Sequence, residues 1–208
     1  MKRFTHDPSV FDVTSMDAAR QIILTPEDST TDARWETETP YLVDLIETQV
    51  GVGSRSVVLD YGCGIGRMAK ALINRFGCTV IGIEPSSSMA TLATRYVGME
   101  KFSVAQVYET REPYADLAIS IWALQHMPNV TGDVVRIVRA LKPGGHLFIA
   151  NLHHRAIPTV ESGWVDDGID VFGLLASTLA FVAGGPLDPA RTTERVAAVS
   201  AWAVYRRD

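Results

Sequence analysis

"VVLDYGCGIGRMAKAL" spans Val57 to Leu72. It opens as a short apolar run, reaches an acid at Asp60, then sets glycines at alternate positions, Gly62, Gly64 and Gly66. The run reads as a strand buried on both faces of a parallel sheet. Beyond it, Ile65, Met68, Ala69, Leu72 and Phe76 recur at helical spacing, and Gly77 stands where that helix stops. Strand, glycines, helix is the layout of a nucleotide site. A plain turn needs one glycine. Three let a ligand approach the main chain with no Cβ in the way. A dinucleotide fingerprint, G-x-G-x-x-G, would place its last glycine where Arg67 stands. Asp60 would repel a pyrophosphate and attract a cationic group.

The same alternation continues. "CTVIGIE" (78–84) reads as a second buried strand and "PSSSMATLATRYV" (85–97) as a helix with Pro85 near its first turn. "KFSVAQV" (101–107), "ADLAISIWAL" (115–124) and "HLFIANLHH" (146–154) read as further strands. "VTGDVVRIVRALKPGG" (130–145) reads as a helix stopped by Pro143-Gly144-Gly145. The order predicts an α/β fold with a doubly wound, mostly parallel sheet. "VAAVSAWAVYRRD" (196–208) has no helix after it and reads as an antiparallel edge strand. Before the core, "TDARWETETPYLVDLIETQV" (31–50) is helical, with Pro40 starting a second helix or kinking the first. One domain over 1–208 is expected: an arm and lid helices (1–50), a cofactor core (51–152), and an acceptor-side insertion with the closing strand (153–208).

"LDYGCGIG" from Leu59 resembles the first motif, D-x-G-x-G-x-G, of the class I S-adenosylmethionine-dependent methyltransferases, and the resemblance runs from Val57 to Leu152. It implies the Rossmann-like methyltransferase fold and S-adenosyl-L-methionine as cofactor. Its methionine end would lie over Gly62, Cys63, Gly64 and Gly66, with its carboxylate on backbone N–H groups and its ammonium drawn to Asp60. Glu84 ends the second strand, where a carboxylate accepts both ribose hydroxyls; the alternative is a cap for the helix opening near Pro85. Gln106 stands where relatives meet the adenine amine. "DLAISIWALQHMPN" matches the family's fourth strand and L-x-H segment through Asp116, Leu124, His126 and Asn129, and "LKPGGHLFI" matches its helix stop. Trp122 is either a wall against the cofactor or core packing, as is Trp35.

Methyl transfer from a sulfonium needs no acid, so the acceptor site leaves a fainter trace than the cofactor site. His126, past the fourth strand, and His153 and His154, past the fifth, are the candidate catalytic residues; structural or exposed histidines are the alternative. Asp166 and Asp167 lie in a turn or touch a polar acceptor. Cys63 and Cys78 have neither metal nor disulfide spacing, and no metal site is expected. The net charge is −5 over 208 residues, which argues against a broad nucleic-acid surface. "MKRFTHDPSV" has no apolar signal region, and no stretch is long enough to span a bilayer, so a cytoplasmic protein is expected. The expected function is methylation of a small-molecule acceptor at O or N. The alternatives are an NAD(P)-dependent Rossmann oxidoreductase and a non-catalytic protein that binds the same cofactor.

Overall fold

The computed structural model describes residues 4–26, 28–107 and 112–208. Seven strands form the central sheet in the order β3-β2-β1-β4-β5-β9-β8. These are β1 (Val57–Tyr61), β2 (Thr79–Ile83), β3 (Phe102–Ala105), β4 (Ala115–Ile121), β5 (Leu141–Leu152), β8 (Ala180–Pro186) and β9 (Ser200–Arg206). β9 lies antiparallel to both β5 and β8, and the other pairings are parallel. The closing strand is thus antiparallel, as its sequence suggested. It is also covered: β8, read from sequence only as part of an insertion, takes the edge. β6 (Ile157–Thr159) and β7 (Gly163–Val165) form a separate hairpin.

The helices are α1 (Met16–Ile23), α2 (Thr31–Val50), α3 (Arg67–Phe76), α4 (Ser87–Val97), α5 (Val130–Ala140), α6 (Val171–Ala176) and α7 (Glu194–Val199). α2 runs through Pro40 without ending. α5 stops at Ala140, and Pro143, Gly144 and Gly145 already belong to β5. Leu42, Ile46, Leu72, Val80, Ile119 and Phe148 pack one face of the sheet against α2 and α3. Leu59, Ala118, Val134, Ile137, Leu147 and Leu175 pack the other against α5 and α6. A run buried on both faces cannot alternate with polar residues, which is why β1, β4 and β5 are nearly all apolar.

Asp116, matched to the family's fourth strand, opens β4 at the sheet's far end. It accepts from the Val57 N–H (2.8 Å) and the Lys142 ammonium (2.6 Å), so it braces two strands.

The turn after β1 is where the packing is tightest. Gly62, Gly64 and Gly66 all have positive φ, of 80°, 54° and 78°. A Cβ on Gly62 would fall 2.3 Å from the Ala123 methyl. Gly62→Ala combines a left-handed alanine with this overlap and is expected to destabilise the fold by about 2–4 kcal/mol, measured by urea unfolding.

Candidate functional site

Parallel strands bring their carboxyl ends to one edge, and that edge gathers the residues the sequence singled out. Asp60 lies in β1 between Gly82 of β2 and Ile119 of β4. It is 2% exposed, and one carboxylate oxygen has no hydrogen-bond partner. Burial pushes its pKa up to about 7, the Glu84 charge adds to this, and the Arg67 guanidinium pulls the other way. Arg67 is itself buried, which lowers its pKa to about 10. It reaches Thr39 Oγ1 at 3.2 Å and lies over the Trp35 ring at 5.8 Å.

Glu84 follows β2 and is held by two backbone donors. Gly64 N–H donates to one oxygen and Ser86 N–H to the other, both at 2.9 Å. Burial raises the Glu84 pKa, and these two bonds oppose the rise. The helix itself is capped by Ser86, so Glu84 is not its N-cap. Pro85 and Gln106 are exposed on the rim, after β2 and β3.

The loop amides depart from expectation. Gly62 and Cys63 N–H groups both donate to the Ile83 carbonyl, Gly64 N–H to Glu84, and Gly66 N–H to the Cys63 carbonyl. The fold itself consumes these donors, because a turn this tight folds its N–H groups back onto neighbouring acceptors. Cys63 points its thiol inward, where a Cβ on Gly82 would lie 2.6 Å from the sulfur, and the thiol donates to the Gly64 carbonyl at 3.7 Å.

The N-terminal segment crosses this edge as a strap. Asp7 N–H donates to Pro158 O and Val160 N–H to Thr5 O, adding a bridge beside β6. Phe11 then meets His126 (5.7 Å between ring centroids) and Trp164 (6.3 Å). Farther along, Ile23 of α1 lies on the loop: its Cδ1 is 2.9 Å from where a Gly64 Cβ would be. Trp35 of α2 is the hub beneath α1. The Arg20 guanidinium lies 4.7 Å from its ring centroid, and Tyr96 meets it edge-on at 6.1 Å. Arg20 holds Asp32 at 2.8 Å, yet its buried Nε has no partner. Arg34 and Glu38 form a buried pair below, at 2.6 Å.

The candidate catalytic histidines part company. His126 Nδ1 contacts Ala156 O at 2.6 Å and Nε2 contacts the Gln125 amide at 3.1 Å, so both ring nitrogens are engaged. Donation from Nδ1 leaves Nε2 as the acceptor in a neutral ring, and burial lowers the His126 pKa accordingly. His153 and His154 are exposed beyond β5. His153 lies near Phe172 (6.3 Å), and His154 is 3.5 Å from Asp166. Asp167 serves Arg155, whose side chain is fully buried and also donates to the Leu124 and Met127 carbonyls. Trp122 closes β4 with its indole partly buried. Among the described residues no cluster of three metal-ligating side chains occurs, and no helix is long and apolar enough to cross a membrane.

Arg20, Arg34, Arg155 and Glu38 carried no readable signal in the sequence beyond the i, i+4 spacing of Arg34 and Glu38. Their partners lie in other elements or depend on how those elements pack.

Asp60 ionises at about pH 7 in the fold against 3.8 ordinarily, so the folded state holds a proton that the unfolded chain releases. Its burial therefore costs progressively more stability as pH rises from about 4 to about 7, and the cost is constant above. Asp60→Asn carries no such cost. The melting temperature of Asp60→Asn relative to the unsubstituted protein should climb across that window and level off beyond it, measured by scanning calorimetry.

Comparison with known proteins agrees with this architecture. Residues 59–149 match the family model described as a methyltransferase domain. The methyltransferase GfsG of Streptomyces halstedii is 33% identical over 136 residues, covering 61% of this chain and 46% of that protein. A ubiquinone biosynthesis O-methyltransferase of Alkalilimnicola ehrlichii is 27% identical over 121 residues, 55% of this chain and 49% of its own length. The chain spans about half or less of the length of the curated relatives it matches. Among solved structures, the N-methyltransferase NodS from Bradyrhizobium japonicum, in complex with S-adenosyl-L-homocysteine, shares the fold. Its TM-score is 0.67 at 18% identity, over 91% of this chain and 96% of that one. Residues 59–149 thus match a methyltransferase domain, and the sheet around them has the Rossmann-like methyltransferase fold.

Proposed function

We propose that the chain transfers a methyl group from S-adenosyl-L-methionine to an oxygen or nitrogen of a small-molecule acceptor. One observation carries the reading: a buried carboxylate oxygen without a partner, at Asp60, below a turn stripped of side chains. A carboxylate left that way costs free energy unless a cation completes it. An anionic pyrophosphate would be repelled there; an amino-acid ammonium supplies both the charge and the N–H donors. This favours the methyltransferase reading over an NAD(P) oxidoreductase.

When bound, the cofactor supplies a methyl group on a sulfonium, a good leaving group that needs no protonation. The chain's own residues then bind and orient. Asp60 accepts from the ammonium directly or through water. Glu84, already fixed by Gly64 and Ser86, keeps lone pairs for the two ribose hydroxyls. Gly62 and Gly64 let the tail lie against main chain, and Pro85 and Gln106 flank the adenine. The amides of Gly62, Cys63, Gly64 and Gly66 are spent within the fold, so we assign the carboxylate to Arg20, whose unpartnered Nε sits on the helix that carries Ile23. Trp122 follows β4 on the acceptor side of that space, its indole against the core that contains Leu42 and Ile46. His126 positions the strap rather than moving protons, because its nitrogens are occupied. His153 and His154, exposed past β5 with His154 beside Asp166, are the groups available to take a proton from an acceptor that carries one. We further propose a single domain acting in the cytoplasm, without nucleic acid or membrane as partner.

Calorimetric titration tests this. S-adenosylhomocysteine should bind and NAD should not. Asp60→Asn and Arg20→Ala should each weaken S-adenosylhomocysteine by about ten- to a hundredfold, the range for a lost charge-assisted hydrogen bond. Affinity should rise with pH up to about 7, since the ammonium needs Asp60 ionised. Binding of NAD in preference to S-adenosylhomocysteine would overturn the reading.

A further inference from the structure

Trp122 is the only described residue other than glycine with positive φ, at 56°. Bulky side chains avoid that region, and residues held there cluster at functional sites. The twist has a visible consequence. Leu117, Ile119 and Ile121 face the α2 side of the sheet, so regular alternation would send residue 122 to the other side. Instead the left-handed turn swings the Trp122 indole onto the α2 side, against the core that contains Leu42, Ile46, Leu187 and Val196. Its own N–H stays in register, donating to the Ala150 carbonyl at 2.8 Å. The next residue, Ala123, is the one seated on Gly62. Trp122 therefore lies next to the residue seated on the glycine turn, with its indole on the core of the α2 side.

A second observation is independent of the first. The Trp122 indole Nε1 is buried and has no hydrogen-bond partner. Asp60 Oδ2, Arg20 Nε and Ser200 Oγ are also without partners, but the buried polar side chains of the turn that follows Trp122 and of the segment after β5 are satisfied. Gln125 accepts from the Leu152 N–H, Asn151 accepts from the Gln125 N–H, and Arg155 bonds two carbonyls and Asp167. Strain and an orphaned donor coincide at one residue, on the edge where an acceptor must lie.

We propose that the Trp122 indole N–H binds the methyl acceptor and that the acceptor's reacting atom is an oxygen of phenol or enol type. This rests on the methyl-transfer reading and narrows it. An indole N–H only donates. Donation to a neutral amine would occupy its single lone pair and block attack. An oxygen accepts the bond and keeps another lone pair for the displacement. The donated bond also stabilises the oxyanion, which suits a rim where the buried histidine, His126, has no free nitrogen. The phenolic proton passes to solvent by way of His153 or His154 on the rim. The oxygen pair then forms the C–O bond as the C–S bond breaks, and the sulfur keeps that pair as a neutral thioether.

The indole resonances of the four tryptophans, observed by nitrogen-15 NMR, supply the test. Trp122→Phe identifies the Trp122 signal by its loss. S-adenosylhomocysteine is added first, then phenol, catechol or butylamine. The Trp122 signal should stay in place with S-adenosylhomocysteine alone, move downfield with phenol or catechol, and ignore butylamine. In S-adenosylhomocysteine release assays over a panel of phenols, Trp122→Phe should lose about tenfold in kcat/KM with unchanged S-adenosylhomocysteine affinity. Trp122→His, which keeps a ring N–H, should recover part of it. A signal that moves with S-adenosylhomocysteine alone assigns the N–H to the cofactor and overturns the proposal. So does a signal that ignores both phenols, or equal turnover by Trp122→Phe. Failure of S-adenosylhomocysteine to perturb any resonance would instead remove the methyl-transfer reading, and this proposal with it.

Discussion

A carboxylate lies inside the sheet at Asp60, flanked by β2 and β4, where water cannot reach it. Burying a charge there is unfavourable, and the protein meets it with a second buried charge, Arg67, at the start of α3. Arg67 in turn lies over Trp35 of α2, and Trp35 carries Arg20 of α1 on its ring. One unfavourable group thus draws three helices over the turn after β1. The bareness of that turn is a condition of the arrangement. Ala123, Ile23 and Val97 each occupy space that a Cβ on Gly62, Gly64 or Gly66 would need.

Polar groups along the carboxyl edge are mostly consumed in fixing it. Gln125 and Asn151 join the turn after β4 to the end of β5. Arg155 ties that turn to the segment after β7, and His126 is pinned to Ala156 between Phe11 and Trp164. A reaction whose leaving group departs unaided gains chiefly from alignment and from exclusion of water. An edge in which most hydrogen-bonding capacity is spent on rigidity suits such a reaction. Among the described residues the buried groups left over are the Asp60 oxygen, the Arg20 Nε, the Trp122 N–H and the Ser200 hydroxyl, none of which has a partner within the protein.

How much of this could be read from the chain depends on how far apart the interacting residues are. The strand–glycine–helix unit is local, and both the turn and the acids at Asp60 and Glu84 were legible. The antiparallel course of the last strand was legible too, since no crossover follows it. The hairpin of β6 and β7 and the strand β8 were not. They are short, rich in glycine and weakly patterned, and they form because β9 and the strap offer edges to pair with. Pro40 suggested a break that α2 does not make.

Periodicity and glycine spacing by themselves determined the α/β sheet, the place of the glycine turn and the two carboxylates beside it, because each arises from residues within one strand–turn–helix unit. Only the tertiary structure decided that four of the loop amides are already taken, that His126 has no free nitrogen, and that Trp122 is twisted to the α2 side. Those outcomes follow from contacts between segments tens of residues apart, where hydrogen bonds and packing volume are shared among elements, and no pattern along the chain records how they are divided.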